Sequence, residues 1–242
     1  MTDRYVYSQI DYSDAVNFLL PRHYSGRVPQ VQYAYGVVDK TTNAIVAVCT
    51  FGIPASNTMC KSVGGVEYKN SVFELNRLCR EEDYKRPLSE FVAWCLKQLK
   101  PKNVYVVSYS DTAMNHHGYI YQATNFLYTG MTKPNIDIFT YGKHPRSYTK
   151  DDVKNKYWQI RSVKHRYVYI CACTKNIKKK MLHDLKLPIV PYPKGDNNKD
   201  YTLGEYLGCE IVYKESGEVS FFPKELDLSN RQFPQQTYLF LE

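Results

Sequence analysis

The chain has 242 residues, a formal charge of +8 and a pI near 9.0. With 43% apolar and 23% charged residues it can bury one good core, which excludes a disordered or fibrous chain. Seven cysteines, odd in number and without a C-x-x-C pair, exclude a disulfide framework and a zinc cluster, and no apolar run reaches membrane-spanning length. The positive balance favours an acidic partner such as nucleic acid. Tyrosine is abundant, 23 against 10 Phe and 2 Trp. Coding bias in an AT-rich genome and a base-stacking surface both account for that, and composition does not separate them. Asp3, Arg4, Asp11 and Asp14 interrupt any apolar leader, so a cytoplasmic protein is expected.

Tyr5-Val6-Tyr7 reads as a short strand. Asp11 to Leu20 reads as a helix capped by Asp11 or Ser13, with Ala15, Val16, Leu19 and Leu20 on one face and Pro21 at its end. Residues 22–29 form a loop carrying His23, Tyr24, Arg22 and Arg27. Tyr33 to Val38 and Ala44 to Phe51 make a hairpin around a polar turn, and 57–71 looks like loop. In the next strand, Phe73 to Leu78, the polar Glu74, Asn76 and Arg77 are costly unless they face a site or pair with each other.

Leu88 to Lys100 is the clearest helix, with Leu88, Phe91, Val92, Cys95, Leu96 and Leu99 in one stripe between Pro87 and Pro101. Val104 to Val107 is an unbroken apolar run, the pattern of a strand buried on both faces. Ser108, Tyr109, Ser110, Asp111 and Thr112 follow at its carboxyl end, where ligands sit in open α/β sheets. Helix capping also uses Ser and Asp, but needs fewer polar groups than are present. His116, His117 and Gly118 lead into a helix over 119–125 and a strand over 126–131.

Residues 143–186 hold 13 Lys and Arg against three Asp, interleaved with Tyr148, Tyr157, Trp158, Tyr167 and Tyr169. That pattern suits a surface that tracks phosphates and stacks on bases, or else a solvated face. Within it His165 to Ala172 alternates as a strand and Lys175 to Asp184 reads as a basic helix. Pro188, Pro191 and Pro193 open a loop. A short helix over 203–207 and a hairpin of 209–214 with 219–222 follow.

Antiparallel strands followed by a strand–helix–strand unit is the order of the GNAT acyltransferase fold. More specifically, His23-Tyr24-Ser25-Gly26-Arg27, Thr50 to Ser56 (TFGIPAS), Glu74 to Leu78 (ELNRL), Ser108 to Thr112 (SYSDT) and Gly118 to Phe126 (GYIYQATNF) resemble the Mom family. These are GNAT-like bacteriophage proteins that modify adenine in phage DNA and so block host restriction. Lys164 to Tyr167 (KHRY) resembles a further family segment, so the matches run in order over residues 22–167.

The resemblance implies an α+β fold: a mixed, mostly antiparallel sheet with a splayed parallel pair, flanking helices and a C-terminal extension. The expected division is a catalytic domain over 1–170 and an appended element over 171–242. The implied activity is transfer of a small carbamoyl- or acyl-type group to the exocyclic amine of adenine in double-stranded DNA, in the host cytoplasm during infection. His23, Tyr24, Arg77, Asp111 and Tyr121 are the expected catalytic residues. Ser89, Leu78, Ser108 and Asn125 are the expected donor contacts. Arg27, Glu74, Asn76, Lys164 and Arg166 are the expected substrate contacts, extended by Trp158, Lys178, Lys179 and Lys180. The implied cofactors are acyl-CoA (acetyl-CoA) and divalent iron. One departure bears on the donor. Where GNAT enzymes carry a glycine loop for the CoA diphosphate, this chain has Arg80 to Pro87 (REEDYKRP), with three carboxylates and no glycine.

The chemistry can be argued from the residues alone. The adenine amine is a poor nucleophile, so its proton must leave as it attacks and the charge growing on the donor must be stabilised. Asp111 could be the base, or could orient His23 or His117. Arg77, Ser108 and Tyr24 could stabilise an anion. His23 and Asp111 with His116 or His117 would suit ferrous iron. The paired amine requires the base to leave the stack, with Tyr24, Tyr121 and Trp158 as stacking candidates. Two other readings remain: a DNA-binding anti-restriction protein without chemistry, and an acetyltransferase for a protein or small-molecule amine. The sequence carries no signal for oligomeric state.

Overall fold

Strand alternation governs the first half of the molecule. β1 (Tyr5–Gln9), β2 (Tyr33–Asp39), β3 (Ala44–Gly52) and β4 (Val72–Arg80) pair antiparallel in that order. The computed structural model describes residues 3–23, 30–112, 115–133, 135–138, 149–151, 154 and 157–195, with the strands 210–213 and 219–221. β5 (Val104–Asp111) lies parallel to β4. β6 (Leu127–Met131) does not join β5 directly. β9 (Lys164–Cys171), from much later in the chain, enters between them, antiparallel to both. The sheet therefore runs β1-β2-β3-β4-β5-β9-β6, the expected mixed and mostly antiparallel sheet with one parallel pair.

Val104 to Val107 are all nearly inaccessible, as their apolar run demands. Val104 and Val106 pack with α3 (Leu88–Leu99), whose stripe of six apolar residues is buried as expected. Each of those larger side chains contributes roughly 2 kcal/mol of transfer free energy. Tyr105 and Val107 face the other way, toward α2 (Asn57–Gly64) and α5 (Lys175–Asp184). On that second face α1 (Tyr12–Leu19) covers β2 to β4 through Ala15, Phe18 and Leu19.

Two expectations change. The stretch expected as loop contains α2. Ser56 caps it by accepting from the Met59 N–H at 3.2 Å, and Cys60 and Val63 are buried one turn apart. Its five polar or small residues had hidden the apolar stripe. A second sheet was also not anticipated: β7 (Asn135–Ile138), β8 (Tyr157–Arg161), β10 (Glu210–Tyr213) and β11 (Val219–Phe221), in the order β11-β10-β8-β7. The β10–β11 hairpin matches the expected one. The expected helix over 203–207 lies outside the described residues.

The described residues after β9 pack closely on this framework. Met181 of α5 is buried, and its carbonyl accepts from the Tyr105 hydroxyl at 2.6 Å. The proline-bearing segment then crosses the edge strand β6. Val190 N–H donates to the Tyr128 carbonyl at 3.0 Å, and the Tyr192 hydroxyl to the Phe126 carbonyl at 2.6 Å. Prolines beside an edge strand prevent further pairing there.

Candidate functional site at the fork of the sheet

The β4–β5 ladder stops after three pairs, the last being Glu74 with Val107, although both strands continue. At the point of separation the Ser108 hydroxyl donates to the Leu75 carbonyl at 3.0 Å. Beyond it the strands fork. One residue further, β4 carries a bulge: Phe51 opposes Leu75 and Thr50 opposes Arg77, so Asn76 is the extra residue. Bulges re-aim side chains and recur beside active sites.

Side-chain bonds hold this bulge. The Thr50 hydroxyl donates to Asn76 Oδ1 at 2.7 Å, and Asn76 Nδ2 donates to the Gln30 carbonyl at 2.9 Å. The same carbonyl explains Gly52, since a Cβ there would lie 1.7 Å from it. Residues from two of the family-like segments, joined through Gln30, thus form one bonded unit. Gln30 escaped sequence reasoning because a backbone acceptor leaves no residue signature.

Alternation along β4, β5 and β9 assigns the remaining groups to faces. Arg77 shares the α1 face with Cys79, and Tyr109 and Asp111 share the α2 face with Val107. Lys164 and Arg166 join them, on the Val168 side of β9. His23, just past α1, is buried with its neutral form strongly favoured: burial drives its pKa well below 6.5, and the Arg77 guanidinium adds to the shift. The Tyr109 phenol is pushed up to about 12 by burial, with Glu74 reinforcing and Arg166 opposing. His23, Glu74, Arg77, Tyr109, Asp111, Lys164 and Arg166 therefore line one polar face around the fork. The imidazole is held in the neutral form that can accept a proton, at a basicity weakened by the same burial and charge, while the guanidinium offsets nearby negative charge.

Asp111 is held more firmly than expected. Its carboxylate pairs with the Lys164 ammonium and accepts from the Ser162 hydroxyl at 2.6 Å. Ser162 has no sequence signal, because it meets Asp111 only through the β5–β9 register. Arg166 is likewise engaged, donating to Thr129 Oγ1 at 3.0 Å and to the Thr129 carbonyl at 3.1 Å.

The opposite face holds a different set. Tyr121 packs between Phe126 and Tyr167 in the main core, near the start of α4 (Tyr119–Ala123). Tyr167 donates to the His117 carbonyl, and Gln122 Nε2 donates to the same oxygen at 2.9 Å. The Tyr128 hydroxyl meets His165 Nδ1 at 2.8 Å. His116 lies at the end of β5 rather than on either face, its backbone N–H donating to the Asp111 carbonyl at 3.1 Å, and burial lowers its pKa to about 4 against the opposing pull of Asp111. Leu78 packs on this core, Ser89 lies in the first turn of α3, and Asn125 ends α4 at φ 61°.

The expected iron set does not assemble. Among the described residues no group of three or more His, Cys, Asp and Glu could hold a metal. Asp111 is committed to Lys164 and Ser162, while His117 stands with His165, rings 5.5 Å apart. Tyr24 and Arg27 lie outside the described residues. Trp158 sits in the second sheet on β8, opposite Val212. Lys178, Lys179 and Lys180 are on α5, past the far end of β9, with Lys180 paired to Asp184 at 2.8 Å. The loop after β4 is tied down by charge, with Arg22 bonded to Glu81 at 2.8 Å and Arg86 to Asp3 at 2.7 Å.

Several solved acetyltransferases are similar in outline. A ribosomal-protein-S5-alanine acetyltransferase from Vibrio fischeri has 13% identity and TM-score 0.43, over 72% of this chain and 97% of its own. An N-acetyltransferase from Staphylococcus aureus Mu50 has 10% identity and TM-score 0.44, over 70% and 99%. A ribosomal-protein-S18-alanine N-acetyltransferase from Escherichia coli has 10% identity and TM-score 0.40, over 70% and 96%. No curated protein sequence matches the chain. The Mom protein family matches residues 4–194, from the strand β1 through α5 to the proline segment beyond it, and the chain belongs to that family.

Proposed function

We propose that this chain is a group-transfer enzyme that joins a small acyl- or carbamoyl-type group to the exocyclic amine of adenine in DNA. The observation that carries the reading is the fork: two strands that stop pairing after Glu74 and Val107, with a buried neutral imidazole and a guanidinium beside them. Membership of the Mom family supports the choice of DNA as acceptor, because the family's resemblance implies adenine modification.

The fork fits a slender donor chain. On the β5 side, β4 has no ladder partner after Glu74 among the described residues, and past the Leu75 carbonyl that Ser108 occupies this offers a strand edge to an amide-bearing arm such as that of an acyl-CoA. The glycine-free loop at 80–87, with its three carboxylates, does not fit the CoA diphosphate, so the arm rather than the nucleotide carries recognition. A bound thioester would supply an activated carbonyl with a thiolate leaving group. His23 takes the amine proton as the new N–C bond forms, and Arg77 offsets the charge on the acyl oxygen. Asp111 fixes Lys164 at the mouth, where its ammonium meets DNA phosphate.

Mass spectrometry of nucleosides from DNA of cells expressing the protein tests the reading. A new adenosine mass with the wild type, absent with His23→Gln, supports it. Unmodified DNA alongside tight DNA binding would favour a shield without chemistry. Acetylation of protein amines alone would favour a protein acetyltransferase.

A further inference from the structure

The lysines of α5 are not part of the fork. β9 begins at Lys164, opposite Asp111, and ends at Cys171, opposite Val104. Seven steps at roughly 3.3 Å put the two ends about 23 Å apart. α5 follows the far end, where a turn of 3-10 helix over Lys100–Lys102 closes α3. The two are fastened together: the Cys173 N–H donates to Asn103 Oδ1 at 2.9 Å. Lys100 and Lys178 both stand close enough to Cys171 to influence its thiol.

This brings Lys97, Lys100 and Lys102 from one segment beside Lys175, Lys178 and Lys179 from another. All six are exposed, and none is ion-paired among the described residues. The acid of α5, Asp184, is occupied by Lys180. Two lysines lie over aromatic rings, Lys178 at 5.7 Å from Tyr169 and Lys102 at 5.9 Å from Tyr33. Six unneutralised cations on one pole repel one another, and a polyanion relieves that repulsion by releasing its own counterions.

We infer that this pole is a second DNA-binding surface, which grips the phosphates of one stretch of duplex while the fork works on another. The inference rests on DNA being the acceptor. The pole lies about 23 Å of strand away from the mouth of the fork, so a duplex that crosses the mouth leaves these cations to another stretch of duplex. The contacts are to phosphate, so the pole adds affinity and salt sensitivity without sequence preference.

The test uses the full chain with Lys100, Lys175 and Lys179 changed together to Gln, and a triple Arg version as control. None of the three has a side-chain bond in the described structure, so folding is preserved, which a thermal melt checks. Binding to a non-specific duplex is followed by anisotropy across a salt series. The slope of log K against log salt flattens by roughly 2–3 in the Gln variant and is kept by the Arg variant. Energy transfer between two separately labelled duplexes reports bridging by the wild type and its loss in the Gln variant. An unchanged slope, absence of bridging by the wild type, or failure to bind duplex at all overturns the inference. The adenosine mass is read separately: a modified base with an unchanged slope sinks the second surface alone.

Discussion

Replacing Gly118 by Ala isolates one contact that the fold depends on. Gly118 has φ +74°, and a Cβ there would lie 2.4 Å from Tyr167 Cε2 and 2.6 Å from Cζ. Tyr167 cannot yield easily, because it is buried and its hydroxyl is bonded to the His117 carbonyl. Gly130 supplies the control. Its φ is +82°, and a Cβ there would meet nothing within 4 Å. Gly130→Ala therefore costs only the left-handed backbone strain of an L-residue, about 1–2 kcal/mol. Gly118→Ala costs the same plus overpacking of about 1–3 kcal/mol. For a chain of this length each kcal/mol moves the melting temperature by roughly 2–4 °C. Gly118→Ala should thus melt roughly 2–12 °C below Gly130→Ala by circular dichroism. Equal melting temperatures would refute the claim that the tyrosine ring sets the entry to α4.

Acid should destabilise the protein as its buried histidines take up protons. His116 has an unfolded value near 6.5 and a folded value near 4, so its stabilising contribution is complete above pH 6.5 and is lost as pH falls toward 4, by about 3 kcal/mol in all. Burial lowers His23 and His165 in the same direction, whereas Asp39, held near 2 by its hydrogen bond from Arg4, titrates below this window. Urea midpoints flat from pH 7 to 4.5 would contradict this. Asp111→Asn should cut modification by about 100-fold and also cost about 1–3 kcal/mol, since the Lys164 ammonium and Ser162 hydroxyl lose a charged acceptor. Full activity in that variant would remove Asp111 from the site. Arg77→Lys should lose activity with little change in melting temperature, because a point charge does not replace a planar fork; retained turnover would argue that Arg77 only packs against His23.

The sequence by itself determined the elements whose periodicity is strong and the segments that carry the family likeness. The α3 stripe from Leu88 to Leu99 and the apolar run from Val104 to Val107 each admit one reading, because burying them any other way exposes large side chains. The parallel pairing of β4 with β5 followed from the helix between them. Tertiary structure alone decided where the chemistry-bearing side chains meet. β9 enters the sheet between β5 and β6, and that register brings Lys164 to Asp111 and separates it from Lys178 by the length of a strand. The fork depends on a bulge at Asn76 that is fixed by the Gln30 carbonyl, a group every residue possesses. Periodicity is a local property and survives in the order of residues. Register and long-range hydrogen bonds are settled only when distant segments compete for the same sheet edge, and no local pattern records the winner.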